Sequence, residues 1–95
     1  MTDPSTLILT SLAGGPRHGY AMIQDIEALA GVTLGPGTLY GAITRLVDDG
    51  LIEPAGIDER RRPYRLTGQG REVLAERLKA LNRVVNAGTG RLSPA

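Results

Sequence analysis

The sequence contains no cysteine, tryptophan or phenylalanine, and its only aromatic residues are three tyrosines. Without cysteine the chain can form neither a disulfide framework nor a cysteine-ligated metal site. Long hydrophobic runs are missing as well, since no apolar stretch approaches the roughly 20 residues that span a bilayer. The N-terminus has an acid before its first apolar run and lacks the basic segment of a secretory signal. These absences favour a cytoplasmic protein that is not bound to a membrane.

The formal net charge of the chain is only +1, but the charge is unevenly distributed. Residues 1–50 carry two basic and five acidic residues, whereas residues 51–95 carry nine basic and five acidic residues. Three of the basic residues are the consecutive arginines Arg60, Arg61 and Arg62. Arginine outnumbers lysine ten to one and favours planar, bidentate contacts with phosphate or carboxylate, although a compositional bias of the source genome explains this excess equally well.

The first part of the chain predicts two helices from their boundary residues. Asp3 before Pro4 is typical of an N-cap followed by a proline in the first helical turn. The segment PRHGY opens a second helix, which Gly31 ends. Helical spacing gives this second helix an apolar face of Met22, Ile23, Ile26, Leu29 and Ala30.

A third helix is predicted over residues 36–49, because Pro36 suits a first turn and Gly50 suits the position just after a helix. Its buried arc consists of Leu39, Ile43, Leu46 and Val47. The opposite face is nearly free of bulk at its N-terminal end and acidic at its C-terminal end. Only the N-terminal half of this helix could therefore approach a polyanion.

The remainder of the chain predicts a two-stranded ribbon and a last helix. LIEPA and PYRLT are the strand segments, separated by a turn at residues 56–59, and Arg65 on the second strand either points outward or pairs with Glu53. Thr67 caps a last helix over about 67–87. Residues 1–87 therefore form one domain, and residues 88–95, rich in glycine and without periodicity, are expected to be a flexible tail.

The order of three helices, a ribbon and a helix is that of a winged helix-turn-helix, a mainly α fold with a small β-ribbon (α+β). In this architecture the second helix of the helix-turn-helix pair enters the major groove of DNA, and the ribbon forms a wing beside it. Here the recognition helix is residues 36–49 and the wing is residues 55–63, which places the three arginines on the wing.

The segments LILTSLAGGPRHGYAMIQDI, GTLYGAITRLVDDGLIE and RRRPYRLTGQGREVL resemble, in that order, consecutive signatures of the PadR family of transcriptional regulators. The resemblance covers about residues 7–78. It implies a homodimeric winged-helix protein that binds double-stranded DNA, usually as a repressor, and that dimerises through its last helix.

The sequence resembles the compact branch of the family, because it ends soon after one long helix, and we expect it to lack the larger C-terminal dimerisation domain of the longer branch. PadR-like proteins are often released from DNA by a small-molecule effector. Because the chain has no tryptophan or phenylalanine, the aromatic pocket known in some compact members cannot be carried over to it. A small-molecule effector therefore stays open without being indicated, and no cofactor is expected.

Ten residues are the candidates for DNA binding. Small residues allow close approach to DNA, threonine bonds phosphate or base edges, and arginine is the usual partner of guanine. The resemblance places two of the tyrosines near the DNA face, where a phenolic hydroxyl bonds phosphate, although core packing is an equal interpretation for the one in the third helix. The alternative for Arg60, Arg61 and Arg62 is that they lie at a hairpin tip and are simply exposed to solvent. The candidates are Tyr20, Gly37, Thr38, Tyr40, Gly41, Thr44, Arg45, Arg60, Arg61 and Arg62.

The last helix has an apolar stripe that is wider than one small core requires, which indicates dimerisation through a partner helix. Intramolecular packing alone is the alternative. The candidate dimerisation residues are Leu74, Leu78, Leu81, Val84 and Val85.

No catalytic or metal site is predicted. Asp48 and Asp49 are adjacent on a helix and point about 100° apart, so they do not share a site. His18 is the only histidine and is best placed to open the second helix. Two alternatives stay open: a winged-helix interaction module that docks an acidic protein partner, and a MarR-like regulator, which shares the wing but has longer helices at both ends.

Overall fold

A computed structural model of the chain describes residues 2–56 and 60–94. Along these residues the elements follow in the order α1 (Pro4–Ala13), α2 (Gly19–Ala30), α3 (Pro36–Asp48), β1 (Ile52–Pro54), β2 (Tyr64–Leu66) and α4 (Gly68–Leu92). This order confirms the predicted fold class, a mainly helical winged helix-turn-helix with a small ribbon. Most of the predicted turn at 56–59 lies outside the described residues.

Side-chain caps begin three of the helices. Asp3 accepts a hydrogen bond from the backbone N–H of Thr6 at 2.8 Å, before a proline in the first turn of α1. His18 Nδ1 accepts from the N–H of Ala21 at 3.3 Å and opens α2, as predicted for this histidine. Thr67 Oγ1 accepts from Gly70 at 2.9 Å and begins α4. Each cap satisfies a backbone donor that has no partner inside its helix.

Glycines in the left-handed region end the helix-turn-helix pair. Gly31 follows α2 with a φ of 67°, and Gly50 follows α3 with a φ of 74°. A side chain at either position would be strained, which explains why both helices end there. The short turn between α2 and α3 orients α3 so that its buried apolar side chains pack against α1.

One hydrophobic core joins all the elements. Helix α1 is its centre, because Ile8, Leu9 and Leu12 are almost completely buried and the helix packs against α2, α3, α4 and β2. The expectation that Leu29 belongs to the buried face of α2 is wrong, since that side chain is 47% exposed. The core consists of Leu7, Ile8, Leu9, Leu12, Met22, Ile26, Leu34, Leu39, Ile43, Leu46, Leu51, Ile52, Leu66 and Leu74.

The ribbon is antiparallel, with Ile52 opposite Leu66 and Pro54 opposite Tyr64. It does not stand alone, because Arg17, between α1 and α2, forms an isolated bridge with Tyr64. Ile52 and Leu66 are buried in the core, so the base of the ribbon is held by apolar packing as well as by hydrogen bonds. The wing therefore projects from a fixed base.

Helix α4 is longer than the sequence predicts. It ends at Leu92 instead of near residue 87, so the predicted boundary is too early. The expectation rested on glycines at 88 and 90, which weaken a helix but do not by themselves end one. Whether residues 88–95 are flexible stays a prediction. Within residues 2–56 and 60–94, no helix combines the length and apolarity needed to cross a membrane.

Gly70 is required where α4 passes the end of α3. A Cβ built there would collide with the carbonyl oxygen of Leu51 and lie 3.1 Å from Leu66 Cδ2. We predict that Gly70→Ala lowers the free energy of unfolding by about 1–3 kcal/mol, the cost of overpacking. Gly68→Ala, in the same helical turn but facing open space, is the matched control and should leave stability unchanged or slightly raised. Urea denaturation measures both, and equal stabilities would contradict the account.

The α1 cap should make stability depend on pH. The backbone N–H of Thr6, followed by its side chain and Arg77, holds the pKa of Asp3 below its usual range. A carboxyl whose pKa is lowered on folding stabilises the protein above its unfolded pKa, and this contribution is lost as the pH falls through the folded value. We predict that Asp3→Ala costs about 1 kcal/mol at pH 7 and progressively less below about pH 4. Asp3→Asn, a comparable cap without a charge, should match the wild type at pH 7 in thermal melts.

Candidate nucleic-acid interface

Helix α3 turns one side to the core and the other to solvent. Leu39, Ile43 and Leu46 are buried against the rest of the protein. The residues exposed on the other side include six of the ten DNA-binding candidates, and Asp48 lies at the end of the same face. These six are Gly37, Thr38, Tyr40, Gly41, Thr44 and Arg45.

The polar side chains on this face differ in what they can still bind. Thr44 donates its hydroxyl hydrogen to the carbonyl oxygen of Tyr40 at 3.0 Å, so it presents its methyl group and acceptor lone pairs outward. Arg45 makes no hydrogen bond or ion pair with the described part of the chain. Its guanidinium therefore keeps its donors for an external acceptor.

A concavity of about 700 Å³ lies on one side of α3, between this helix, the start of α2 and the wing. It brings together five of the sequence candidates, namely Tyr20, Tyr40, Arg60, Arg61 and Arg62. Sequence reasoning missed the five other lining residues, His18, Gly19, Ala21, Gln24 and Tyr64. All three tyrosines and the only histidine of the chain thus surround one open, basic depression.

The two candidate tyrosines of this concavity are exposed. Tyr20 is 64% exposed and Tyr40 is 52% exposed, so core packing does not account for the latter. The ring of Tyr40 lies over the first turn of α2, where a Cβ on Gly19 would come within 2.5 Å of its hydroxyl oxygen. Gly19 therefore leaves room for the ring of Tyr40, and the start of α3 can pack against the start of α2.

A second groove lies on the other side of α3, where Gly37, Thr38, Gly41 and Arg45 face the start of α1. Arg77 of α4 closes this groove and donates to Ser5 Oγ at 2.9 Å and to Thr6 Oγ1 at 3.3 Å.

The ten DNA-binding candidates therefore do not form one cluster. Five line the wing side of α3, four line its α1 side, and Thr44 lies on the ridge between them. Arg77 gave no sequence signal, because its partners are 71 and 72 residues away.

Arg65, next to the wing, is paired as one of the two sequence interpretations anticipated. Its Nε donates to Glu53 Oε1 at 2.9 Å across the ribbon. Both side chains are about half exposed, so this pair contributes little to stability. It does, however, occupy the Nε donor of Arg65.

The apolar stripe of α4 divides into a buried and an exposed part. Leu74 is only 6% exposed and belongs to the core of its own chain, which removes it from the predicted dimerisation surface. The other candidates are exposed and continue the stripe beyond the body of the fold. They are Leu78, Leu81, Val84 and Val85.

Among residues 2–56 and 60–94, no three histidine, aspartate or glutamate side chains are grouped so that they could hold a metal ion. The groups that α3 and the described wing residues present are guanidinium and phenol donors, threonine acceptors and a small-residue helix face. These groups match the acceptors of phosphates and base edges.

Comparison with known proteins identifies the same fold and a sequence family. The model of the transcriptional regulator PadR-like family matches residues 8–76. A PadR family transcription regulator from Clostridium difficile R20291 has a crystal structure that superposes with a TM-score of 0.83 at 22% identity, covering 95% of this chain and 98% of that one. At this identity the likeness supports the fold alone.

Two relatives are similar in sequence. The transcriptional regulator Rv3488 of Mycobacterium tuberculosis is 40% identical over 77 residues, which cover 78% of this chain and 71% of that protein. A 37.1 kDa protein in transposon TN4556 of Streptomyces fradiae is 44% identical over 82 residues, covering 86% of this chain. The chain spans only 24% of the length of that second relative.

These matches assign the chain to the PadR-like family and so argue against the MarR-like alternative. They also agree with a non-enzymatic, DNA-binding role, since the family and Rv3488 are both described as transcriptional regulators. The family model covers most of the described fold, from α1 into α4. The chain belongs to the PadR-like family of transcriptional regulators.

Proposed function

We propose that the protein is a cytoplasmic, homodimeric repressor that binds a two-fold symmetric operator, with α3 in the major groove and the wing arginines on the flanking backbone. The observation that carries this proposal is the pairing of a small-residue face on α3 with a basic, tyrosine-lined concavity directly beside it. In a DNA duplex the base edges of the groove are likewise flanked by backbone phosphates.

The exposed face of α3 suits the major groove. An α-helix with its side chains is about 10–12 Å across, and the groove is about 12 Å wide. Gly37 and Gly41 face open space and reduce the width of this helix, so its backbone can approach the base edges closely. Arg45 then reaches guanine with donors that no described residue engages.

The N-terminal end of α3 is the end that enters the groove. It carries the positive end of the helix dipole, whereas Asp48 and Asp49 place two negative charges at the other end. Phosphates would be repelled from that acidic end. The charge distribution along α3 thus sets the direction in which the helix meets DNA.

The concavity is open and suits a segment of backbone better than an enclosed small molecule. Tyr20 and Tyr40 are both more than half exposed there, and their hydroxyls can donate to phosphate oxygens. Arg60 to Arg62 line the same depression and supply the positive charge. These contacts position the protein without reading the sequence.

The exposed stripe on α4 supports homodimerisation. Val84 is 69% exposed and Val85 is 59% exposed, and both lie near the end of a 25-residue helix. A second copy of α4 would bury this stripe and place two copies of α3 on one face. Dimers of this type read half-sites about 34 Å apart, one turn of DNA. Occupied promoter DNA would then be closed to transcription.

The two parts of the DNA-binding surface should respond differently to mutation. Replacing Arg60, Arg61 and Arg62 together by alanine should lower affinity at least about tenfold for every sequence and flatten the salt dependence, because phosphate contacts are lost. Arg45→Ala should instead cost about 1–3 kcal/mol on the preferred site and relax base preference at one position. Fluorescence anisotropy with upstream DNA of the gene and a scrambled duplex, at several salt concentrations, measures both effects.

Arg83→Ala is the matched control, since it removes an arginine from the exposed surface of α4. It should leave affinity close to that of the wild type. Normal binding by the triple wing variant would contradict the wing assignment. Equal wild-type affinity for scrambled DNA would contradict operator recognition, and a protein partner retained after nuclease treatment would favour the interaction module instead.

The dimer surface is tested by one buried charge. Val85→Asp would bury an unpaired carboxylate between two copies of α4, so the dissociation constant of the dimer should rise at least about a hundredfold. Asn86→Asp adds the same charge on another side of the helix and should leave the dimer intact. Light scattering after size exclusion gives the mass, and a dimeric Val85→Asp variant would exclude this surface.

A further inference from the structure

Arg17 is the point at which the wing meets the helices. Its backbone N–H donates to the carbonyl oxygen of Tyr64 at 3.1 Å, and the N–H of Tyr64 donates back to Arg17 at 2.9 Å. The two residues form an antiparallel bridge beyond the edge of the ribbon. Because Tyr64 is the first residue of β2, this bridge holds the strand at the point where the chain returns from the wing.

The side chain of Arg17 is fixed by both flanking helices. Its Nε donates to the carbonyl oxygen of Ser11 at 3.2 Å in α1 and lies 3.6 Å from Asp25 Oδ2 in α2. Ser11, which is almost completely buried, donates its hydroxyl to the same Asp25 oxygen at 2.7 Å. Asp25 Oδ2 in α2 thus contacts both the Ser11 hydroxyl in α1 and the guanidinium of Arg17, whose backbone pairs with β2.

This ion pair differs from the other one near the ribbon. The side chains of Arg17 and Asp25 are 33% and 27% exposed, whereas those of Arg65 and Glu53 are 54% and 48% exposed. Shielding from water strengthens the attraction between opposite charges. The Arg17–Asp25 pair also joins separate elements, while Arg65 and Glu53 only connect the two strands of the ribbon.

The wing arginines are close to this joint. Arg62 is two residues before Tyr64, and the intervening Pro63 accepts a hydrogen bond from Ala55 at 2.9 Å. Two extended residues span at most about 7 Å. A small rotation of β2 at the bridge therefore changes the position of Arg60 to Arg62 relative to α3.

We propose that Asp25 is a positioning residue for the wing: by holding Arg17, it fixes β2 so that Arg60 to Arg62 meet the DNA backbone while α3 occupies the groove. This inference rests on the proposed DNA-binding function. It assigns an effect on affinity to an acidic side chain that lies in α2 and carries the wrong charge to touch a phosphate.

The direction in which DNA affinity changes distinguishes a positioning role of Asp25 from a purely electrostatic one. Asp25→Asn removes a negative charge, and the change in charge alone would strengthen binding to a polyanion. The side chain keeps its size and can still accept a hydrogen bond from Ser11. If Asp25 positions the wing, however, the variant binds more weakly despite its greater positive charge. Glu53→Gln makes the same change in charge without touching the joint and is the matched control.

The test compares both variants with the wild type in anisotropy titrations over a range of salt concentrations, using upstream DNA of the gene. We expect Asp25→Asn to lower affinity roughly 3- to 10-fold and to flatten the salt slope by about one unit, as expected when one or two phosphate contacts weaken. Glu53→Gln should bind as tightly as the wild type or slightly more tightly. Amide hydrogen exchange, followed by NMR well below the melting temperature, should speed up at Tyr64 and Arg17 in Asp25→Asn alone.

Each outcome decides the inference. Wild-type affinity or tighter binding by Asp25→Asn overturns it, as does weaker binding with unchanged exchange at Tyr64 and an unchanged salt slope. If Asp25→Asn does not fold, Arg17→Lys is used, which keeps the charge and the backbone bridge but lacks Nε, and the same weaker, flatter binding is expected. A wild type that binds no DNA contradicts the proposed function itself, a result distinct from any difference between variants.

Discussion

The backbone pairing between Arg17 and Tyr64 is the contact on which the proposed DNA-binding surface depends. An isolated ribbon with three residues in each strand is marginal in water. Here the ribbon is held at its base by Ile52 and Leu66 in the core and at its side by Arg17. The bridge places the wing beside the starts of α2 and α3. Tyrosines from both helices can therefore share a concavity with arginines that follow them by 20 or more residues in the chain.

On the proposed function, two kinds of contact are kept apart in space. The small-residue face of α3 reads bases, and the wing side supplies phosphate contacts that act on every sequence alike. Glycine is essential to this arrangement at Gly19, where any side chain would displace the ring of Tyr40, and at Gly70, where α4 passes the Leu51 carbonyl. The acidic end of α3 then restricts which end of the helix can enter the groove.

Local chemistry made most of the fold predictable. Caps at Asp3, His18 and Thr67, and glycines after α2 and α3, act within four residues, so their effect can be read directly from the sequence. The parts that could not be predicted depend on contacts distant in sequence. Arg77 bonds α1 across the fold, Leu74 is buried by elements that precede it, and the separation of the site into two sides of α3 follows from where α1 and the wing pack.

The most direct test of operator recognition is selection of bound duplexes from a random pool by the purified protein, followed by sequencing. A homodimer that reads bases through α3 should enrich an inverted repeat whose half-site centres are about 10–10.5 base pairs apart. The most strongly selected positions should include a guanine whose selection is lost with Arg45→Ala. A pool that binds without enrichment of any motif would contradict the claim that this surface reads sequence.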